Sequence, residues 1–256
     1  MNTETVELNV NAKNNIWNRD VIKYIAMFTM LLNHISHVFM ERGSFLSEFF
    51  LDIGYFTAIT MCYFLVEGYQ YTRSKKKYAC RLAVFAMISE IPFCLAFTKD
   101  GIIGFYGMNM MFTLLLCFLI LLSIERIDNK FLRRLAITGL ILLSCISDWG
   151  LLAPFFTLMF ARAKDSKRRV KRTYVISCIL FALYYFSEGI VKFPLGKSII
   201  YALGAMAGMA LSGIVIIYLY NGKRMEKGKT FSKWFFYVFY PLHLLILGLL
   251  RLVYLM

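Results

Sequence analysis

The chain has 256 residues, of which 59% are hydrophobic and 17% aromatic, and carries a formal net charge of +14 at pH 7. A mean hydropathy of +0.62 excludes an ordinary soluble domain, in which roughly half of the residues are apolar. A nucleic-acid surface is excluded as well, because the 29 Lys and Arg residues are spread over separate short segments and do not form one basic face with interleaved aromatics.

The composition leaves a protein of the lipid bilayer. Apolar stretches of about 20 residues match a hydrocarbon core of about 30 Å, and only a helix satisfies its own backbone within one such stretch. In chain order the apolar runs fall at about 22–41, 49–70, 82–98, 109–124, 134–147, 150–162, 173–189, 198–220 and 234–255. This predicts an all-α polytopic bundle of about nine transmembrane helices, within a range of eight to ten. A short polar cytoplasmic segment, 1–21, would precede a single transmembrane domain over 22–256. The runs 134–147 and 150–162 are short and could form one hairpin turned at Ser147-Asp148-Trp149-Gly150.

With the amino terminus inside, all but five of the Lys and Arg residues (Arg42, Lys99, Lys192, Lys197 and Arg251) fall on the inner side. That bias predicts an odd number of spans in a bacterial inner membrane. The six cysteines lie one to a segment without CxxC spacing, so neither a disulfide framework nor a metal knuckle is expected. Gly204, Gly208 and Ser212 form a small-residue stripe that predicts close helix contact in the eighth run.

Ionisable groups at membrane depth are costly and usually face a cavity or a protein interior. The segment LLNHISHVF (31–39) holds Asn33, His34 and His37, SEIPF (89–93) holds Glu90, and YPLH (240–243) holds His243. At the helical rise, His34, Glu90 and His243 lie roughly 18, 14 and 15 Å along their runs, all near the midplane. Pro92 and Pro241 each leave a carbonyl one turn back without its helical donor, which predicts cavity walls at both places.

The sequence offers no HExxH or GxSxG arrangement and no Gly-rich phosphate loop, and no metal is expected. What remains is histidine as a general base near a carboxylate, beneath a basic inner mouth of Arg73, Lys75, Lys76, Lys77 and Arg81. That set suits acyl transfer from a phosphate-bearing thioester: a neutral imidazole takes the acceptor's proton, and the bases hold the donor's phosphates.

At the same residues, FLVEGYQYTRSKKKYACRLAVFAMISEIPFCLAF (64–97), NMMFTLLL (109–116) and YPLHLLIL (240–247) resemble the TraX family of integral-membrane acetyltransferases, whose namesake acetylates the amino terminus of conjugative pilin. The resemblance implies acetyl-CoA, or another acyl-CoA, as co-substrate. His34, Glu67, Arg81, Glu90, Asn109 and His243 match polar positions of the family pattern. Asn33 and Cys94 stand where that pattern commonly has aspartate.

The resulting expectation is an acyl-CoA-dependent O- or N-acetyltransferase. His34 would be the base, Glu90 its orienter or charge partner, and His243 a second polar contact. Glu67, Arg73, Lys75, Lys76, Lys77, Arg81 and Asn109 would form the donor side, with Asn33 and His37 in support. The acceptor is an amine or hydroxyl of a peptide, glycan or lipid. The competing reading is a proton-coupled transporter or flippase for an anionic solute, since carriers also use midplane ionisable groups and broken helices. A non-catalytic partner in the assembly of surface structures is a third.

Overall fold

The computed structural model describes residues 16–99 and 101–255, so most of the predicted polar segment 1–21 lies outside the described residues. The described chain is 81% helical with no strands. Its helices are α1 (Arg19–Phe39), α2 (Phe45–Tyr71), α3 (Lys75–Phe97), α4 (Met110–Arg126), α5 (Lys130–Ser144), α6 (Leu152–Ala163), α7 (Lys167–Lys192), α8 (Leu195–Ile214) and α9 (Lys229–Leu255). A π turn, Val215–Leu219, extends α8. Each predicted apolar run thus has its helix.

Five of these helices, α2, α3, α7, α8 with its extension, and α9, are long and apolar enough to cross a membrane. The count of about nine crossings is therefore not reproduced by length and composition. α5 and α6 have 15 and 12 residues, roughly 22 and 18 Å of helix. α4 has 17 residues, and α1 begins with Arg19, Asp20 and Lys23. α5 and α6 are joined by a short turn at Cys145–Leu151, but each packs on α4 and not on the other, so the anticipated hairpin does not form as a paired unit.

Local chemistry sets the helix starts. The side chains of Asn18, Ser44, Ser74, Asn109 and Asn129 accept from backbone N–H groups of the first turns of α1 to α5, which satisfies donors that a helix cannot pair internally. Pro92 and Pro241 both lie inside continuous helices.

Packing brings α1 and α2 together along their length. A Cβ on Gly54 would overlap Asn33, whose amide donates to the Leu51 carbonyl at 2.9 Å. Below that level Thr57 donates to the Ala26 carbonyl, and above it Ser36 meets Ser47 at 2.8 Å. α8 fits α2 through the small-residue stripe. Cβ atoms at Gly204 and Gly208 would overlap Asp52, and Ser212 reaches Thr60 at 2.7 Å. α9 packs on α3 through Phe85 and Tyr237, with ring centroids 5.0 Å apart. Near its end Arg251 donates to the carbonyls of Thr98, Gly101 and Ile102. Large apolar side chains such as Met87, Ile91, Val191 and Val253 face outward, as lipid contact requires.

Candidate functional site

α1, α2, α3, α4, α9 and the loops at 148–149 and 220–224 enclose a cavity of about 730 Å³. Its walls follow helical spacing. α1 contributes Arg19, Lys23, Met27, Met30 and His34, α2 contributes Gly54, Ala58, Met61, Leu65 and Gly68, and α9 contributes Lys233, Phe236, Tyr237 and Tyr240. Residues three and four apart share a helix face, so each helix presents one continuous stripe. Together the stripes run from the basic ends of the helices to the level of His34.

His34 is buried, 8% exposed, and lines the cavity. Its Nδ1 lies 2.8 Å from Nε2 of His243, and Nδ1 of His243 lies 2.8 Å from the carbonyl oxygen of Phe239. A carbonyl only accepts, so Nδ1 of His243 carries a proton and, in the neutral ring, Nε2 is an acceptor. Nδ1 of neutral His34 must then donate, which leaves the lone pair on its Nε2. The two ring planes differ by 9°, with centroids 5.1 Å apart. Combined with the short N···N distance, this places the rings edge to edge in one plane and not face to face. Phe97 stands edge-on to His34 at 5.2 Å, and Phe239 lies against His243 at 4.9 Å.

The expected pairing of His34 with Glu90 is replaced by this histidine pair. Oε2 of Glu90 accepts from the backbone and side-chain nitrogens of Asn109, at 3.2 and 2.6 Å, and Oε1 faces the Cys94 thiol at 3.8 Å. Asn109, fully buried, caps α4 with its side-chain oxygen and donates to the Ala86 carbonyl. Glu90 and Asn109 thus lock α3 to the start of α4, where a carboxylate also suits the helix dipole. Neither belongs to the cavity lining. Asn33 does, but its amide is engaged in the α1–α2 contact. His37 lies one turn beyond His34, exposed, against Phe97.

At the opposite end the cavity is rimmed by Arg19, Lys23, Arg73, Arg81, Arg224 and Lys233, against the carboxylates of Asp20 and Glu67. Glu67 is occupied by Arg19 at 3.3 Å and the Tyr220 hydroxyl at 2.6 Å. Asp20 accepts from the Met225 N–H and the Ser232 hydroxyl, which pins the 220–228 loop to the start of α1. The Nε–H donors of Arg19 and Arg81 are buried without an acceptor among the described residues. The rim therefore has net positive charge and unused guanidinium donors, a match for phosphate oxygens.

The predicted basic cluster divides between two places. Arg73 and Arg81 are on the rim, while Lys75 pairs with Glu125 and sits over Tyr69. Lys75 and Lys76 border a separate, mostly apolar groove between α3 and α4, and Lys77 is exposed. Sequence reasoning missed Arg19, Lys23, Arg224 and Lys233 on the rim, and Asp148 with Trp149 at the far end. The 19–23–27–30–34 spacing on α1 is the signal that could have found the first two.

Fold and site define a class: an all-helical membrane protein with an internal cavity joining a cationic rim to a buried, tautomer-fixed histidine pair. The family profile described as TraX protein matches residues 18–251, and the chain belongs to the TraX family. It is 28% identical over 233 residues to "Probable fimbrial assembly protein FimC, serogroup H1" of Dichelobacter nodosus, covering 88% of this chain and 92% of that protein. No solved structure matches.

Proposed function

We propose that this protein is an integral-membrane acyltransferase that moves an acetyl or other acyl group from acyl-CoA to an amine or hydroxyl. The observation that supports the reading best is the hydrogen bond from His34 Nδ1 to His243 Nε2, which leaves His34 Nε2 as the basic atom of a ring that lines the cavity.

In this reading the donor's phosphates rest on Arg19, Lys23, Arg73, Arg81, Arg224 and Lys233. Its thioester arm follows the methionine-lined passage past Met27, Met30 and Met61. The acceptor's lone pair attacks the thioester carbonyl carbon as its proton passes to Nε2 of His34. The C–S bond then breaks, and the departing thiolate takes that proton back, giving acylated acceptor and free CoA. His243 holds the tautomer of His34 and accepts from the imidazolium as it forms, the part a carboxylate plays in better-known triads. General-base assistance of this kind contributes typically ~10²–10⁴ in rate.

The reading includes nine passages of the chain with the amino terminus in the cytoplasm of a bacterial inner membrane, the short helices included. The fimbrial-assembly name of the relative directs the search for an acceptor to components of surface fibres. Incubation of purified protein with radiolabelled acetyl-CoA tests it. Label transfer, or slow CoA release without acceptor, supports the enzyme. Uptake of an anionic solute into proteoliposomes with the thioester intact would support a carrier instead.

A further inference from the structure

We propose that Asp148 is the acceptor-positioning residue: its carboxylate receives the N–H or O–H of the acceptor head group at the end of the cavity away from the cationic rim. The proposal rests on the acyl-transfer reading above and adds a second substrate site to it.

Three carboxylates line the cavity among the described residues. Asp20 and Glu67 hold the rim together and have both oxygens engaged. Asp148 differs. Its carboxylate has a neighbouring backbone N–H, that of Trp149, as a partner, and among the described residues no side chain donates to it, the Thr113 hydroxyl going to the Asp148 backbone carbonyl. The residue is half-buried and faces the cavity, so it keeps acceptor capacity that the fold does not use. A carboxylate has about four lone-pair sites, and burying them idle is unfavourable.

The chain holds Asp148 there deliberately. Trp149 and Leu151 adopt φ of 58° and 62°, a region non-glycine residues rarely occupy, and such strain persists only where surrounding structure over-determines it. Here the Asp148 N–H donates to the Met108 carbonyl at 2.8 Å, Met108 N–H to Ile146 at 2.9 Å, and the Thr113 hydroxyl to the Asp148 carbonyl at 2.6 Å. Leu151 N–H donates to the Ser144 hydroxyl, and a Cβ at Gly150 would overlap the Ser144 carbonyl. The backbone is fixed from both sides while the carboxylate is left open.

The loop also lies at the level of the base. Trp149 meets Tyr55 edge-on at 5.9 Å, Tyr55 follows Gly54, and Gly54 packs on Asn33 beside His34. Tyr240, which stands against His243, accepts from Met110 N–H, two residues beyond the strand-like pairing of Met108 with Ser147. Aromatic faces of Trp149 and Tyr55 beside a carboxylate suit a head group with a polar proton on a hydrophobic body.

The test needs no acyl donor. In a Trp17→Phe, Trp234→Phe background, Trp149 is the remaining tryptophan and reports on its own loop. Detergent-solubilised protein is titrated with octylamine and with octanol, following its fluorescence. We expect a saturable change with at least one of the two, weakened tenfold or more by Asp148→Asn and largely restored by Asp148→Glu. Asn keeps the backbone bonds of the loop, and an unchanged thermal transition checks that. A parent that shows no saturable response to either probe, or an Asp148→Asn protein that binds as the parent does, overturns the proposal. Acetyl-CoA turnover, measured separately, reports whether the donor reading stands or falls by itself.

Discussion

Gly208 brings α8 so close to α2 that a Cβ at this position would overlap the backbone carbonyl oxygen of Asp52. Backbone cannot rotate away as a flexible side chain can, so Gly208→Ala must separate the helices. Overpacking of this kind typically costs 1–3 kcal/mol. We expect thermal unfolding in detergent at a clearly lower temperature, while Gly139→Ala, where the added carbon meets nothing, leaves it unchanged or slightly raised.

His34→Ala should lower acyl transfer by about 10²–10⁴-fold with donor affinity retained, because the rim lies far from the ring. His243→Phe keeps an aromatic ring beside Phe239 but removes the acceptor that fixes the His34 tautomer. Loss of the correct tautomer costs about 10⁴-fold in a Ser-His-Asp triad, and we expect a loss of at least about tenfold here. Full activity in a folded His243→Phe protein would separate the histidine pair from the chemistry.

Glu90→Gln should be mild, within about threefold in turnover, since a Gln oxygen still accepts from Asn109. Asn109→Leu should instead lower stability by about 1–3 kcal/mol, by removing a cap and leaving buried partners unpaired. If Glu90→Gln abolishes turnover without unfolding, Glu90 is a charge partner after all and the histidine pair is insufficient.

Neutralising Lys23 and Arg81 together should raise KM for acyl-CoA with a smaller change in kcat, as removal of ground-state binding does. Neutralising Lys76 and Lys77 should change KM little. The first effect should shrink at high salt, where screening already weakens the rim. Equal effects of the two pairs would show that the rim does not discriminate the donor.

Glu125 ends the apolar part of α4, where hydrogen bonds from Lys75 and Tyr69 hold its carboxyl below its usual range. The folded protein therefore binds this proton less readily than the unfolded chain. Its contribution is complete above the ordinary carboxylate range, near 4.3, and is lost as pH falls through the lower folded value. The pair is partly exposed, so the effect is about 0–1 kcal/mol. Glu125→Gln should flatten that acid limb in a pH series of unfolding measurements.

Much of this was legible from residue patterns, for reasons that particular residues make plain. The apolar runs are local signals, and each became a helix. The Gly204–Gly208–Ser212 stripe is also local and met Asp52 and Thr60. The basic run 75–77 misled because successive helical residues point about 100° apart, so neighbours in sequence cannot all face one cavity. Asp148 read only as part of a turn, and what holds it at the cavity is a backbone bond to Met108, 40 positions away. The His34–His243 contact spans 209 positions. Rarity and depth suggested both residues, while which partner His34 would take was a tertiary fact.

That separation has a consequence for how the protein comes into being. Among the described helices α1 is synthesised well before α9, and the rim likewise needs Arg224 and Lys233 beside Arg19 and Lys23, about 200 positions earlier. Until α9 inserts, the nascent chain has His34 without its partner and a rim without Lys233. If the acyl-transfer reading holds, a product truncated before α9 would lack the partner that fixes the His34 tautomer and would transfer no acyl group.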